Sequence, residues 1–129
     1  MLFWILQRSL DHALDGYTGL TPASFEQTLT AIDRVMRGLS RAKMQKQDAD
    51  LIVREYKATA HLIRHACRRG LLALEPRPAK AAALRRELAE DLREIVREYK
   101  RLWQARNRPG GLQDSVARFN QAGRDYRQI

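Results

Sequence analysis

The residues of this chain that could do chemistry fall into a few small groups, and each group has a plain structural reading beside the chemical one. His61 and His65 are four residues apart, so on a helix they share one face and could chelate a metal. Zinc sites need three or four protein ligands, and Glu55 and Cys67, close by in sequence, fall on other faces. No metal and no other cofactor is therefore expected, and both histidines read as polar-face or partner-contacting groups. Cys67 lies on an apolar stripe, where a thiol packs as a small hydrophobe. Glu90 and Asp91 are adjacent acids that would point about 100° apart on a helix. That is poor geometry for gripping one substrate atom, so both are expected on a solvated face. Ser24, Ser40 and Ser115 occur in helix-start or helix-face contexts, and none sits in a nucleophile-elbow sequence. Gly110-Gly111 lacks the preceding strand and the lysine of a phosphate loop. No residue is assigned as catalytic.

Trp103, Arg106, Asn107 and Arg108 remain as candidates for binding or domain contact. An aromatic face beside bidentate guanidinium donors could meet a sugar, a carboxylate or a neighbouring domain. Equally, Trp103 could fill a helical bundle while Asn107 and the arginines cap the last carbonyls of the preceding helix.

The elements that must position these residues are helical. Leu88, Leu92, Ile95, Tyr99 and Leu102 recur at three- and four-residue steps, and Trp103 widens that face near its end. At Asn107-Arg108-Pro109-Gly110-Gly111 the helix must stop, because proline disfavours the α conformation before it and the two glycines permit positive φ. Pro109, Gly110 and Gly111 thus form a structural corner. Asp114 or Ser115 would cap a short last helix with the stripe Val116, Phe119, Gly123 and Tyr126.

Upstream, Phe3, Leu6, Leu10, Ala13 or Leu14, and Tyr17 mark a first helix of roughly fifteen residues, ended by Gly16 and Gly19. Thr21-Pro22 restarts the chain, threonine as cap and proline at the first helical position. Phe25, Leu29, Ile32, Met36 and Leu39 carry the second helix to about Arg41. Asp48 would cap a third, striped by Ile52, Tyr56, Ala60, Ile63, Cys67 and Leu71 and ended near Leu74 by Glu75-Pro76-Arg77-Pro78. A fourth and longest helix runs from Pro78 or Ala79 to the Asn107 corner. Ile52-Val-Arg-Glu-Tyr-Lys57 recurs as Ile95-Val-Arg-Glu-Tyr-Lys100, but the flanks do not align. Short connections and no alternating strand pattern predict an all-α antiparallel bundle of about five helices, four long and one short at the C-terminus, in one domain spanning 1–129.

A chain of 129 residues can bury roughly two thirds of its unfolded surface, enough for a core without disulfide or metal. The lone cysteine cannot form an intramolecular bridge, which fits a reducing, cytoplasmic setting. The apolar start Met1-Leu-Phe-Trp-Ile-Leu6 stops far short of the ~20 residues of a membrane span, so no membrane partner is expected. Net charge is +9. Basic and acidic residues are interspersed, as in Arg93-Glu94 and Arg97-Glu98, which is the pattern of a solvated helix face and argues against nucleic acid as partner. The one concentrated group is Arg64, Arg68 and Arg69 with His61 and His65.

The words LWQARNRPGGLQDS, through Leu102, Trp103, Ala105 to Leu112, Asp114 and Ser115, resemble the C-terminal end of a group of bacterial glycoside hydrolase family 20 enzymes. These are exo-β-N-acetylhexosaminidases in which a catalytic (β/α)8 barrel is followed by a helical region. A weaker likeness covers His61 to Gly70, and the two together span about a fifth of the chain. The family works through an adjacent Asp-Glu pair on a barrel strand. This sequence has no Asp-Glu dipeptide. What the resemblance implies is a C-terminal module of such an enzyme, without its barrel. Its partner would be the barrel of a parent chain or a second copy of itself in a homodimer. The hydrolysis of terminal β-linked N-acetylhexosamine, with the substrate's acetamido group as nucleophile, would belong to the full-length parent.

Overall fold

The computed structural model of the chain describes residues 1–107 and 110–127. Of the residues singled out above, Arg108 and Pro109 lie outside the described ones. Six α-helices appear among the described residues, in the order α1 (Leu2–Gln7), α2 (Pro22–Leu39), α3 (Ala49–Ala73), α4 (Pro78–Arg106), α5 (Leu112–Ala117) and α6 (Asn120–Arg127), with a 3₁₀ turn at Leu10–His12. No strand occurs among the described residues, and the all-α bundle expected from the periodicity is the observed fold.

The helix boundaries follow local chemistry. Thr21 accepts from the Ser24 backbone N–H while the Ser24 hydroxyl accepts from the Thr21 N–H, a reciprocal cap with Pro22 at the first helical position. α3 ends at Ala73, just before Glu75-Pro76, and Pro78 opens α4. Two expectations about caps are corrected. Asp48 occupies the N-cap position of α3 but makes no side-chain cap bond, because its carboxylate is held by Arg106. At the corner, neither Asp114 nor Ser115 starts the last helix. Gly111, at φ +81°, occupies the N-cap position of α5. The last helix is also two pieces, since Arg118 and Phe119 separate α5 from α6.

The first helix is shorter than its stripe suggested. Arg8 is extended at φ −82°, ψ 158°, so α1 is under two turns long and the register changes after it. Phe3 is left half exposed, and Ile5, not on the expected stripe, is fully buried. So short a helix leaves its C-terminal carbonyls without intrahelical partners. Arg69 of α3 supplies them: its Nε donates to the Ile5 carbonyl at 2.7 Å and its Nη2 to the Arg8 carbonyl at 2.9 Å.

α3 is the central rod. α2 packs on one side of it and α4 on another, while α1 and α6 close the end near Cys67. Ile5, Phe25 and Cys67 form one core between α1, α2 and α3. Leu72, Leu88, Leu92, Ile95, Phe119, Ala122 and Tyr126 form the other, between α3, α4 and the α5–α6 end. Gly70 permits the close approach of α2: a Cβ there would lie 2.4 Å from the Phe25 ring, which is itself buried.

The polar pairs between α3 and α4 fix their direction. Followed from Asp48 to Arg68, α3 meets Arg106, then Glu98, then Asp91, then Glu87, so the two helices run antiparallel.

Candidate functional site

Where α3 begins and α4 ends, a cleft of about 260 Å³ lies between the two helices. Its floor is Leu62, Ile95, Tyr99, Leu102 and Trp103, and its walls carry Glu55, Thr59, His61, Glu98, Arg106 and Asn107. The stripe of α4 supplies the floor. The walls come from Glu55, Thr59 and His61 of α3, each one position off its stripe, from Glu98 of α4, one position before Tyr99, and from Arg106 and Asn107 at the end of α4. The sequence candidates Trp103, Arg106 and Asn107 come together here.

Arg106 does not cap α4. Its Nε and Nη2 donate to the two carboxylate oxygens of Glu55 at 2.7 and 3.0 Å, and its Nη1 donates to Asp48 at 2.8 Å. This fork geometry is the one guanidinium favours. The hydrogen bonds from Arg106 hold both carboxyls below the usual carboxylate range and raise the arginine further above its own. Asn107 is extended at φ −125°, ψ 162°, and it is its backbone N–H, bonded to the Trp103 carbonyl at 2.7 Å, that closes α4. The Trp103 ring lies 6.0 Å from that of Tyr99, which is edge-to-face with Phe119 at 5.6 Å.

One wall of the cleft continues into the protein. His61 donates from Nε2 to Asp91 at 2.7 Å, and His65, fully buried, donates from Nδ1 to the other oxygen of the same carboxylate at 2.6 Å. Nε2 of His65 is then the acceptor for the Tyr126 hydroxyl, 2.9 Å away on α6. Burial lowers the His65 pKa and outweighs the pull of Asp91, so the imidazole stays neutral. Burial works to raise the Asp91 pKa, but hydrogen bonds from His65 and His61 overcome it and bring it to about 2. Burial likewise pushes Tyr126 up to about 12.

The placement of Asp91 on a solvated face is therefore corrected. Its side chain is 18% exposed, and it ties α4 to α3. The signal was present in the spacing, since Asp91 stands three residues after Leu88 and four before Ile95, on the buried stripe itself. His65 belongs to no polar face, and no group of three or more metal-binding side chains gathers among the described residues. The Tyr126–His65–Asp91 chain resembles a relay but has no exposed nucleophile: Tyr126 and His65 are both buried. Its chemistry is that of a satisfied polar network, which locks a packing arrangement.

The concentrated basic group is neutralised by acids on other helices. Arg64 pairs with Asp33 of α2, Arg68 with Glu87 of α4, and the fully buried Arg69 with Asp125 of α6. Cys67 is buried and burial raises its pKa, which keeps it a thiol.

No protein-family model, no curated protein and no solved structure matches the chain. No described helix is long and apolar enough to cross a membrane.

Proposed function

We propose that the chain is a non-catalytic helical accessory module of a glycoside hydrolase family 20-like β-N-acetylhexosaminidase, a C-terminal part that braces the catalytic barrel or forms a dimer interface. The observation that carries this reading is the use to which its charged and titratable side chains are put. Arg54, Arg64, Arg68, Arg69 and Arg106 each bind an acid on another helix or its cap, and Asp91 is held by two histidines. Groups engaged in helix-to-helix ties are poor acids, bases or nucleophiles, because moving them breaks the scaffold. The likeness of the Leu102–Ser115 words to the family's C-terminal region supplies the identity of the parent. The module would present an apolar surface at its N-terminal end, where Met1, Phe3 and Trp4 are each about half exposed and the two rings meet edge-to-face at 5.2 Å.

A free-standing basic binding protein, for nucleic acid or an acidic protein partner, is the second reading, and the net charge of +9 favours it. Pairing of the arginine cluster with acids weakens it. One set of assays separates the readings. The chain alone should not hydrolyse a chromogenic N-acetyl-β-glucosaminide, and turnover that persists through repurification would overturn the accessory role. An open reading frame encoding a barrel with an adjacent Asp-Glu pair should lie directly upstream of the Met1 codon. Duplex binding that survives moderate salt would favour the second reading instead.

A further inference from the structure

The cleft between α3 and α4 has a chemistry of its own, and we propose that it is a binding site for a neutral, hydroxyl-rich six-membered ring, a pyranoside being the class of ligand that fits. Size sets the first bound. At about 260 Å³ it falls just below the ~300–1,000 Å³ of pockets for drug-sized ligands, so it accepts one substituted ring and not a chain of them.

The floor and walls set the second. Tyr99 and Trp103 line the floor with aromatic surface, their rings tilted 37° to one another. The walls are rich in acceptors. Glu55 is fixed by Arg106, and Glu98 by Arg54 with Arg101 at 3.6 Å; a carboxylate has about four lone-pair sites, so each keeps capacity beyond its arginines. Thr59 gives its proton to the Glu55 carbonyl at 2.9 Å, which leaves its oxygen as an acceptor. His61 also lines the wall, with its Nε2 engaged by Asp91 at 2.7 Å. Several acceptors around an aromatic floor match a ligand with O–H donors on its edge and C–H groups on its faces.

Charge sets the third bound. Among the described lining residues the one cation is Arg106, and its guanidinium is already chelated by two acids, so an anion would have to displace them. A cation likewise meets carboxylates that are already ion-paired, Glu55 with Arg106 and Glu98 with Arg54. An apolar ring would leave the wall acceptors desolvated without partners, which is unfavourable for each polar group so buried. A neutral polyol ring avoids all three costs. This site goes beyond the accessory-module reading and does not depend on it, since it needs no barrel.

The test uses the whole chain with Trp4→Phe, which leaves Trp103 as the only indole, and follows its fluorescence against methyl β-D-glucopyranoside and methyl N-acetyl-β-D-glucosaminide. At least one should give a saturable change with a dissociation constant on the order of 1 mM. Thr59→Phe, which fills the cleft from an exposed position, and Glu98→Leu, which removes an acceptor and leaves the floor, should each weaken binding by about tenfold or more. A methyl glucuronide and cyclohexanol should bind at least about tenfold more weakly than the better neutral glycoside. The proposal falls if neither neutral glycoside saturates by about 100 mM. It falls equally if both variants, shown folded by circular dichroism, bind as the parent does, or if the charged or apolar probe binds as tightly.

Discussion

The hexapeptide Ile-Val-Arg-Glu-Tyr-Lys occurs twice, at 52–57 on α3 and at 95–100 on α4, and the same six side chains meet different surroundings. In the second copy Ile95 is 5% exposed and Tyr99 is packed between Trp103 and Phe119. In the first, Ile52 is only half buried and Tyr56 is 59% exposed, contrary to its place on the expected stripe of α3. The copies even bind one another, since Arg54 of the first donates to Glu98 of the second at 2.8 Å. Periodicity was equal in both. The difference comes from what lies over them: the corner at Gly111 turns the chain back so that α5 and α6 cover α4, whereas the first turns of α3 lie past the reach of α1 and α6. Local sequence sets helix and face, and chain return decides which face becomes core.

The strongest way to break this contrast is to truncate the matched isoleucines. Ile95→Ala opens a cavity in the core beside Leu92 and Phe119 and should cost about 2–5 kcal/mol, whereas Ile52→Ala should cost at most about half as much. Urea unfolding of both variants measures the difference. Equal losses would mean that the two copies are equally buried, and the contrast would vanish.

Much of the fold was legible for the reason that makes the copies alike. The boundaries at Thr21-Pro22, Glu75-Pro76 and Asn107 follow from side-chain and proline chemistry that acts within a few residues. What could not be read was everything that depends on pairing between helices. Asp91 looked solvated until the antiparallel register set it against His61 and His65. Asp48 looked like a cap until Arg106, far along the chain, took its carboxylate. Phe3 and Ile5 exchanged roles because α1 breaks at Arg8, where its last carbonyls are satisfied by Arg69. The cleft was half visible: Trp103, Arg106 and Asn107 were singled out in sequence, while Glu55, Thr59 and Glu98 lie on the walls only because of the helix register.

The next effect sharpens the contrast at the corner that causes it. Gly111 stands at φ +81°, and a Cβ there would lie 3.6 Å from the Trp103 ring, so space is adequate and the backbone is the obstacle. Gly111→Val should lower stability by about 1–3 kcal/mol, while Gly110→Val, with open space around it, should cost less. Melting curves of the pair test this, and equal effects would remove the corner's role in covering α4.

A smaller, graded effect comes from the network that fastens α6 over α4. The pKa of His65 is depressed by burial, so the folded protein refuses a proton that the unfolded chain takes up near 6.5. The unfolded state therefore binds more protons below that pH. Stability should be full above about pH 6.5 and decline as pH falls beneath it, by up to about 1.4 kcal/mol per pH unit for one proton. Asp91 adds a second loss only when pH drops below its ordinary value of 3.8 toward about 2. Urea unfolding at pH 7.5 and pH 5 should show the decline in the natural chain and less of it in His65→Gln. His12 and His61 are common to both proteins, so the difference reports on His65 and the Asp91 carboxylate it shares with His61. An unchanged slope would show that His65 is not held neutral.

The smallest effect concerns the bond between the two copies themselves. Arg54 and Glu98 have side chains 48% and 29% exposed, so water screens their attraction and ordering both side chains offsets part of the gain. Arg54→Met keeps most of the aliphatic stem against α4 and removes only the charge. It should cost about 0.2–1 kcal/mol, and less at high salt. The comparison predicts this because the copies are distinguished by apolar cover and not by ion pairing. A loss approaching that of Ile95→Ala would reverse that order and make the bridge, not the return of α5 and α6, the feature that holds the second copy in place.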